Sequence, residues 1–312
     1  MKNMKLNFGF SAIAVGAFAL ALGLAACGDG GSTNGPSNDE ESSSSSSEKG
    51  DSSSSVAPSS SSVILSSSSE ESSSSVASSS SAKNSSSVKA AWAYLNPDID
   101  YGAFTDERDG QVYKTVKIGT QTWMAENLNY AYTGVKYNFG SYTSDSTSWC
   151  YENKASNCDK YGRLYTWSAV MDSAAQFSVN AGTECGYGKT CTPNSPHRGI
   201  CPEGWHVPTN EEYSTLYTYI GGSSTAGSLL KSTSGWSKSG NGTDKYGFSV
   251  LPAGYRDSYG GFNYEGRLAN LWSASENDSN RAWDQDFYYD GGDAYQGSNI
   301  KTDGLSLRCL KD

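Results

Sequence analysis

The chain has 312 residues, with 23 Lys and Arg against 33 Asp and Glu and a formal net charge of −10. This acid excess, with no basic cluster anywhere, argues against a nucleic-acid partner. Two histidines and the absence of a P-loop, a nucleophile elbow or zinc-ligand spacing leave no motif for phosphoryl transfer, serine hydrolysis or zinc catalysis.

The N-terminus reads as an export signal. Lys2 and Lys5 precede an almost uncharged run from Phe8 to Leu24, and small residues follow at Ala25 and Ala26. A retained membrane helix needs ~20 apolar residues and no such cleavage site, so residues 1–26 are expected to be removed. Leu24-Ala25-Ala26-Cys27 resembles a bacterial lipobox, which makes Cys27 the acylated first residue of the mature chain. Two acyl chains, at ~0.8 kcal/mol per buried methylene, hold a protein on a bilayer where one does not. The expected location is an outer membrane or cell surface, with the lipid bilayer as first partner.

Residues 27–88 are dominated by serine in short runs, broken by acidic pairs and by apolar islands such as Val63-Ile64-Leu65. Serine buries too little apolar surface to offset the ~1 to 2 kcal/mol per residue that backbone ordering costs, so a disordered stalk of ~40 Å mean reach is expected.

From residue 89 onward the composition changes. All eight tryptophans lie here, and residues 89–312 carry 19 Lys and Arg against 25 Asp and Glu, a net −6. A chain of this length buries one sizeable core. Setting Cys27 aside leaves six cysteines, an even number that favours disulfides in an exported chain. Their spacing suggests Cys150 with Cys158, Cys185 with Cys191, and Cys201 with Cys309, one connectivity of about 15.

In chain order, Val112–Ile118 alternates apolar and polar residues before Gly119-Thr120, and Gln121–Leu128 resumes, which predicts a β-hairpin. Arg163–Met171 has near-helical spacing. Thr209 with Glu212 forms a capping box ahead of Tyr213, Leu216, Tyr217 and Ile220, and Gly221-Gly222 closes that helix. A shorter helix is expected over Ser224–Ser232. Strands are expected at Phe248–Leu251, Leu268–Ala274, Ala282–Tyr289 and Leu305–Leu310, with Gly291-Gly292 as a turn. The class is α+β: two or three helices, a twisted and mostly antiparallel sheet, and long loops.

Several blocks then carry a resemblance. They are Val112–Gly119, Trp123–Leu128, Gly162–Trp167, Cys201–Thr209, Leu251–Arg256, Trp272–Ser275 and Leu307–Cys309. In this order they resemble the Fibrobacter succinogenes major paralogous domain, from about residue 106 to the end. The resemblance implies a C-type-lectin-like fold, exported and often lipid-anchored, in plant-fibre-degrading bacteria that carry many copies. Fold alone does not dictate function.

His206, between Trp205 and Val207, reads as a buried structural residue and His197 as a solvated one. Trp123, Trp167, Trp205 and Trp272 read as core. The densest oxygen cluster is Asp284, Asp286, Asp290 and Asp293, a calcium candidate because hard cations take six to eight oxygens. Against that, Asp284 and Asp286 alternate with Trp283, Gln285 and Phe287, as on the solvent face of a strand. A glycosidase pair would need two carboxylates about 5 to 10 Å apart. Ligand-binding candidates are Tyr255, Arg256, Tyr259 and Tyr264 in a Gly-rich loop, and Tyr288, Tyr289 and Tyr295 around the Gly291-Gly292 turn, because flat aromatic faces stack on sugar rings. The reading is a non-enzymatic, surface-displayed module for binding or adhesion, with plant polysaccharide as ligand. An envelope assembly component that binds protein partners is the alternative.

Overall fold

The computed structural model describes residues 89–177 and 185–312. Cys27, the signal segment and the Ser-rich stretch lie outside the described residues. Among the described residues no helix is long and apolar enough to cross a membrane.

The expected hairpin forms: β2 (Gln111–Ile118) pairs antiparallel with β3 (Gln121–Met124), and β1 (Gly102–Asp106) adds to its outer edge. A second hairpin, β4 (Thr133–Phe139) with β5 (Tyr142–Ser146), has no counterpart in the sequence reading. The short β6 (Ser148–Trp149) pairs with β7 (Leu164–Tyr165) on either side of α1 (Ala155–Tyr161).

Arg163–Met171 is not one helix. Tyr165 N–H donates to Leu305 carbonyl oxygen at 2.7 Å, which extends the chain there, and Thr166 caps a four-residue α2 (Trp167–Val170). Long-range pairing has overridden local spacing.

After β8 (Trp205–His206), the capping box is present as expected. Glu212 N–H donates to Thr209 Oγ1 at 3.2 Å, and Thr209 N–H donates to Glu212 Oε2 at 2.8 Å. The result is α3 (Asn210–Ile220), ended by left-handed Gly221 (φ 103°), with Tyr213, Leu216, Tyr217 and Ile220 buried. Next comes α4 (Ser223–Leu230), the expected shorter helix.

Phe248–Leu251 is no strand. Ser249 has φ 52°, its N–H goes to Asp244 Oδ1 at 2.7 Å, and the carbonyls of Phe248 and Ser249 are taken by the Arg308 guanidinium. Side chains, rather than a ladder, satisfy these buried backbone groups. Arg308 is fully buried, and burial pulls its pKa down to about 10, which leaves it charged.

A small hairpin, β9 (Tyr255–Arg256) with β10 (Phe262–Asn263), leads into the main antiparallel sheet of β11 (Leu268–Glu276), β12 (Arg281–Tyr288) and β13 (Tyr295–Ile300). The last of these was not anticipated. Leu305–Leu310 is only partly a strand. Leu305 and Ser306 make single bridges to Tyr165 and Leu271, and β14 (Leu310–Lys311) sits between β3 and β8.

β11 is covered on both faces. Trp272 and Ala274 point into one core cluster with Trp167, Trp205 and Leu307, whereas Ala269 and Leu271 point into the other with Trp123, Leu216 and Phe248. The period of two sorts its side chains between two cores, so apolar residues occur on both faces of the strand. All three expected disulfides are present: Cys150–Cys158, Cys185–Cys191 and Cys201–Cys309. The architecture is therefore α+β with mostly antiparallel pairing.

Candidate functional site

The register of the main sheet builds the site. Asn270 lies opposite Asp286, which lies opposite Tyr295; one step along, Trp272 lies opposite Asp284 and Asp284 opposite Gly297. Positions two apart on a strand share a face, so Asp284 and Asp286 project together beyond the edge of the tryptophan core. Asp286 opens onto a groove of about 750 Å³, and Asp284 lies fully buried beside it.

Tyrosines line its walls. Tyr255 and Tyr264 stack with centroids 6.0 Å apart and planes at 14°. Tyr288, Tyr289 and Tyr295 face them, with Arg267, Asn299 and Gln296 as polar neighbours. Tyr264, Tyr288 and Tyr295 are all exposed, Tyr264 from a left-handed backbone (φ 64°) that a bulky residue adopts only when its surroundings fix it. Five of the sequence-predicted tyrosines thus converge on one groove.

Two of the predicted binding residues lie elsewhere. Arg256 is buried: its guanidinium carbon sits 3.8 Å from the Trp149 ring centroid, and it donates to Tyr142 hydroxyl. It is a core cation held by aromatic faces, not a ligand contact. Tyr259 is exposed at the far tip of the β9–β10 hairpin, against Phe139.

The acidic cluster is divided. Asp284 and Asp286 are buried, contrary to the solvent-face expectation, because they lie opposite Trp272 and Asn270 and share with them a covered face of the sheet. Asp290 reaches the groove, but Asp293 lines a separate surface hollow with Ser223 and Gly292. Among the described residues no three His, Cys, Asp or Glu side chains gather as a metal centre would require.

The buried pair has its own chemistry. Asn270 Nδ2 donates to Asp284 Oδ2 at 3.1 Å and to Asp286 Oδ1, and Asn299 Nδ2 donates to Asp284 Oδ2 at 2.8 Å. Asp284 Oδ1 has no donor. It converges with Asp286 Oδ2 over Gly297, where a Cβ would lie 3.3 Å from the first oxygen and 2.5 Å from the second. Neither carboxyl forms an ion pair with a described cation. Burial first, and then the adjacent Asp286 charge, push the Asp284 pKa well upward, and burial raises Asp286 as well. Two carboxylates this close without a counter-cation hold a proton between them. We place it on Asp284, the fully buried partner, with Asp286 as the acceptor facing the groove.

Both histidines are structural. His206 Nε2 contacts Glu212 Oε1 at 2.9 Å and Nδ1 contacts Asp312 Oδ1 at 2.7 Å. Burial opposes its charge, but these two carboxylates outweigh it and raise the pKa. His197, expected in solvent, is buried with Nε2 3.0 Å from Met171 carbonyl oxygen, and burial lowers its pKa. Asn270, Asn299 and Gly297 were missed in the sequence. Their only signal is register, which no local pattern reveals.

The region from residue 89 is thus an α+β domain stapled by disulfides, with a tyrosine-walled groove on its main sheet. Residues 116–311 match the model of the Fibrobacter succinogenes major domain, and the chain belongs to that family. No curated protein and no solved structure matches the chain.

Proposed function

We propose that this protein is a non-enzymatic glycan-binding module of C-type-lectin-like fold, displayed at an outer membrane or cell surface on a lipid anchor at Cys27. The observation that carries the reading is the groove, where the exposed rings of Tyr264, Tyr288 and Tyr295 stand over Asp286, Asn299 and Arg267. Aromatic faces stack on the apolar faces of sugar rings, and carboxylate, amide and guanidinium groups bond their hydroxyls. Support for a binding rather than a catalytic role comes from the histidines, both engaged in structural contacts. Acidic groups in and around the groove favour uncharged polysaccharide, such as that of plant fibre, over acidic chains.

A glycan array probed with the full-length protein tests this. Tyr288→Ala and Tyr295→Ala should each weaken binding by ~1 to 2 kcal/mol, about five- to thirtyfold, while the melting temperature stays nearly unchanged. Variants that remain folded and bind as the wild type does would remove the groove from consideration.

A further inference from the structure

Outside the groove, two of the other large exposed side chains meet at one place. Tyr187 and Tyr259 flank the half-buried Phe139, with centroids 5.3 Å and 5.4 Å from its ring and both in edge-on contact. Three separate segments supply these rings: the end of β4, the loop closed by Cys185–Cys191, and the turn between β9 and β10.

The two segments that carry the tyrosines are pinned. Under the Cys185–Cys191 loop, the buried Lys301 ammonium donates to Lys189 carbonyl oxygen at 2.8 Å and pairs with Glu276, while Gly188 N–H donates to Ser279 carbonyl oxygen at 2.9 Å. In the β9–β10 turn, Asp257 Oδ1 accepts from Tyr259 N–H at 3.0 Å and from Gly261 N–H at 2.8 Å. Gly260 lies so close to Tyr142 that a Cβ would be 2.7 Å from its ring. Rigid rings presented to solvent lose little entropy on binding.

We infer that Phe139, Tyr187 and Tyr259 form a second sugar-stacking platform, and that it and the groove hold one extended, uncharged polysaccharide; this rests on the glycan reading of the groove. Size selects the occupant. Three partly exposed rings offer at most roughly a few hundred Å², short of the ~800 Å² per partner that a stable protein interface buries. A few sugar rings need no more. Continuity supplies the second argument. Tyr255 and Tyr264 stand at the base of the β9–β10 hairpin in the groove, and Tyr259 stands at its tip. At the rise of an extended chain the two sites are roughly 10 to 15 Å apart along one element. Tethered sites on one ligand bind far more tightly than either alone.

The test is calorimetric titration of the full-length protein with cellobiose and cellohexaose, and with xylobiose and xylohexaose. The wild type should bind a hexasaccharide at least tenfold more tightly than its disaccharide. Tyr259→Ala and Tyr187→Ala should erase that advantage and leave disaccharide binding unchanged, whereas Tyr295→Ala should weaken both. Equal affinity for short and long chains overturns the platform, as does a folded Tyr259→Ala variant with full hexasaccharide affinity. In either case the groove reading survives if Tyr295→Ala still binds more weakly. A wild-type protein that binds none of the four sugars overturns the groove reading and the platform with it.

Discussion

Burial of Asp284 beside Asp286 links the stability of the main sheet to pH. In the unfolded chain the Asp284 carboxyl ionises near pH 4; in the folded domain burial and Asp286 hold the proton to much higher pH. The folded state therefore binds a proton that the unfolded state has lost. Its stabilising contribution is complete below the unfolded pKa and falls by about 1.4 kcal/mol per pH unit until the folded pKa is passed. Asp284→Asn replaces the protonated acid with a neutral amide that still donates to Asp286. The variant should be more stable than wild type at pH 7 to 8 and show a shallower loss between pH 4 and 8, read from denaturant melts across that range. A variant with an equal or steeper loss would refute the shared proton. Other groups, such as Asp244, raised to about 6 by burial, titrate in both proteins, so the difference isolates the Asp284–Asp286 pair. In the sequence these two acids looked like solvent-facing positions, because alternation reveals which residues share a face but not what covers that face. The tyrosines around them were legible from composition and turn chemistry. Arg256 was not, since nothing local shows a guanidinium packed on Trp149.

Elements follow the same division between local and distant causes. The β2–β3 hairpin and α3 could be read directly: alternation, a two-residue turn, a capping box and a closing glycine all act within a few residues. Phe248–Leu251 and Arg163–Met171 could not, because their backbone partners, Arg308 and Leu305, lie far along the chain. The cysteine spacing, by contrast, was informative across 108 residues, because an exported chain with six cysteines leaves few economical pairings. Cys201–Cys309 ties β14 beside β8, and in the chain-entropy account a loop this long stabilises by ~5 kcal/mol against ~2 kcal/mol for the short Cys185–Cys191 loop. Replacing Cys201 and Cys309 by Ala should therefore lower the unfolding free energy by more than replacing Cys185 and Cys191, as measured by urea titration. An equal or smaller loss would show that the long bridge adds little to what packing already fixes.

At the scale of the whole molecule, the proposed anchor at Cys27 would set where the domain sits, and the Ser-rich sequence, if it acts as the expected stalk, its reach. Cys27→Ser should move the protein from the membrane fraction to the soluble fraction and abolish incorporation of labelled fatty acid; retained incorporation would contradict lipidation at that residue. The groove itself comes from one stretch of chain. Every residue lining it lies between Tyr255 and Asn299, whereas all six bridged cysteines, the capping box of α3 and the buried Arg308 lie outside that interval. The disulfides and the groove are thus encoded in separate stretches, while the interval that lines the groove also carries β11 and β12 and their share of both cores. An exchange across that interval would carry the groove together with the sheet beneath it and leave Phe139 and Tyr187 behind, so the two proposed subsites would be inherited separately.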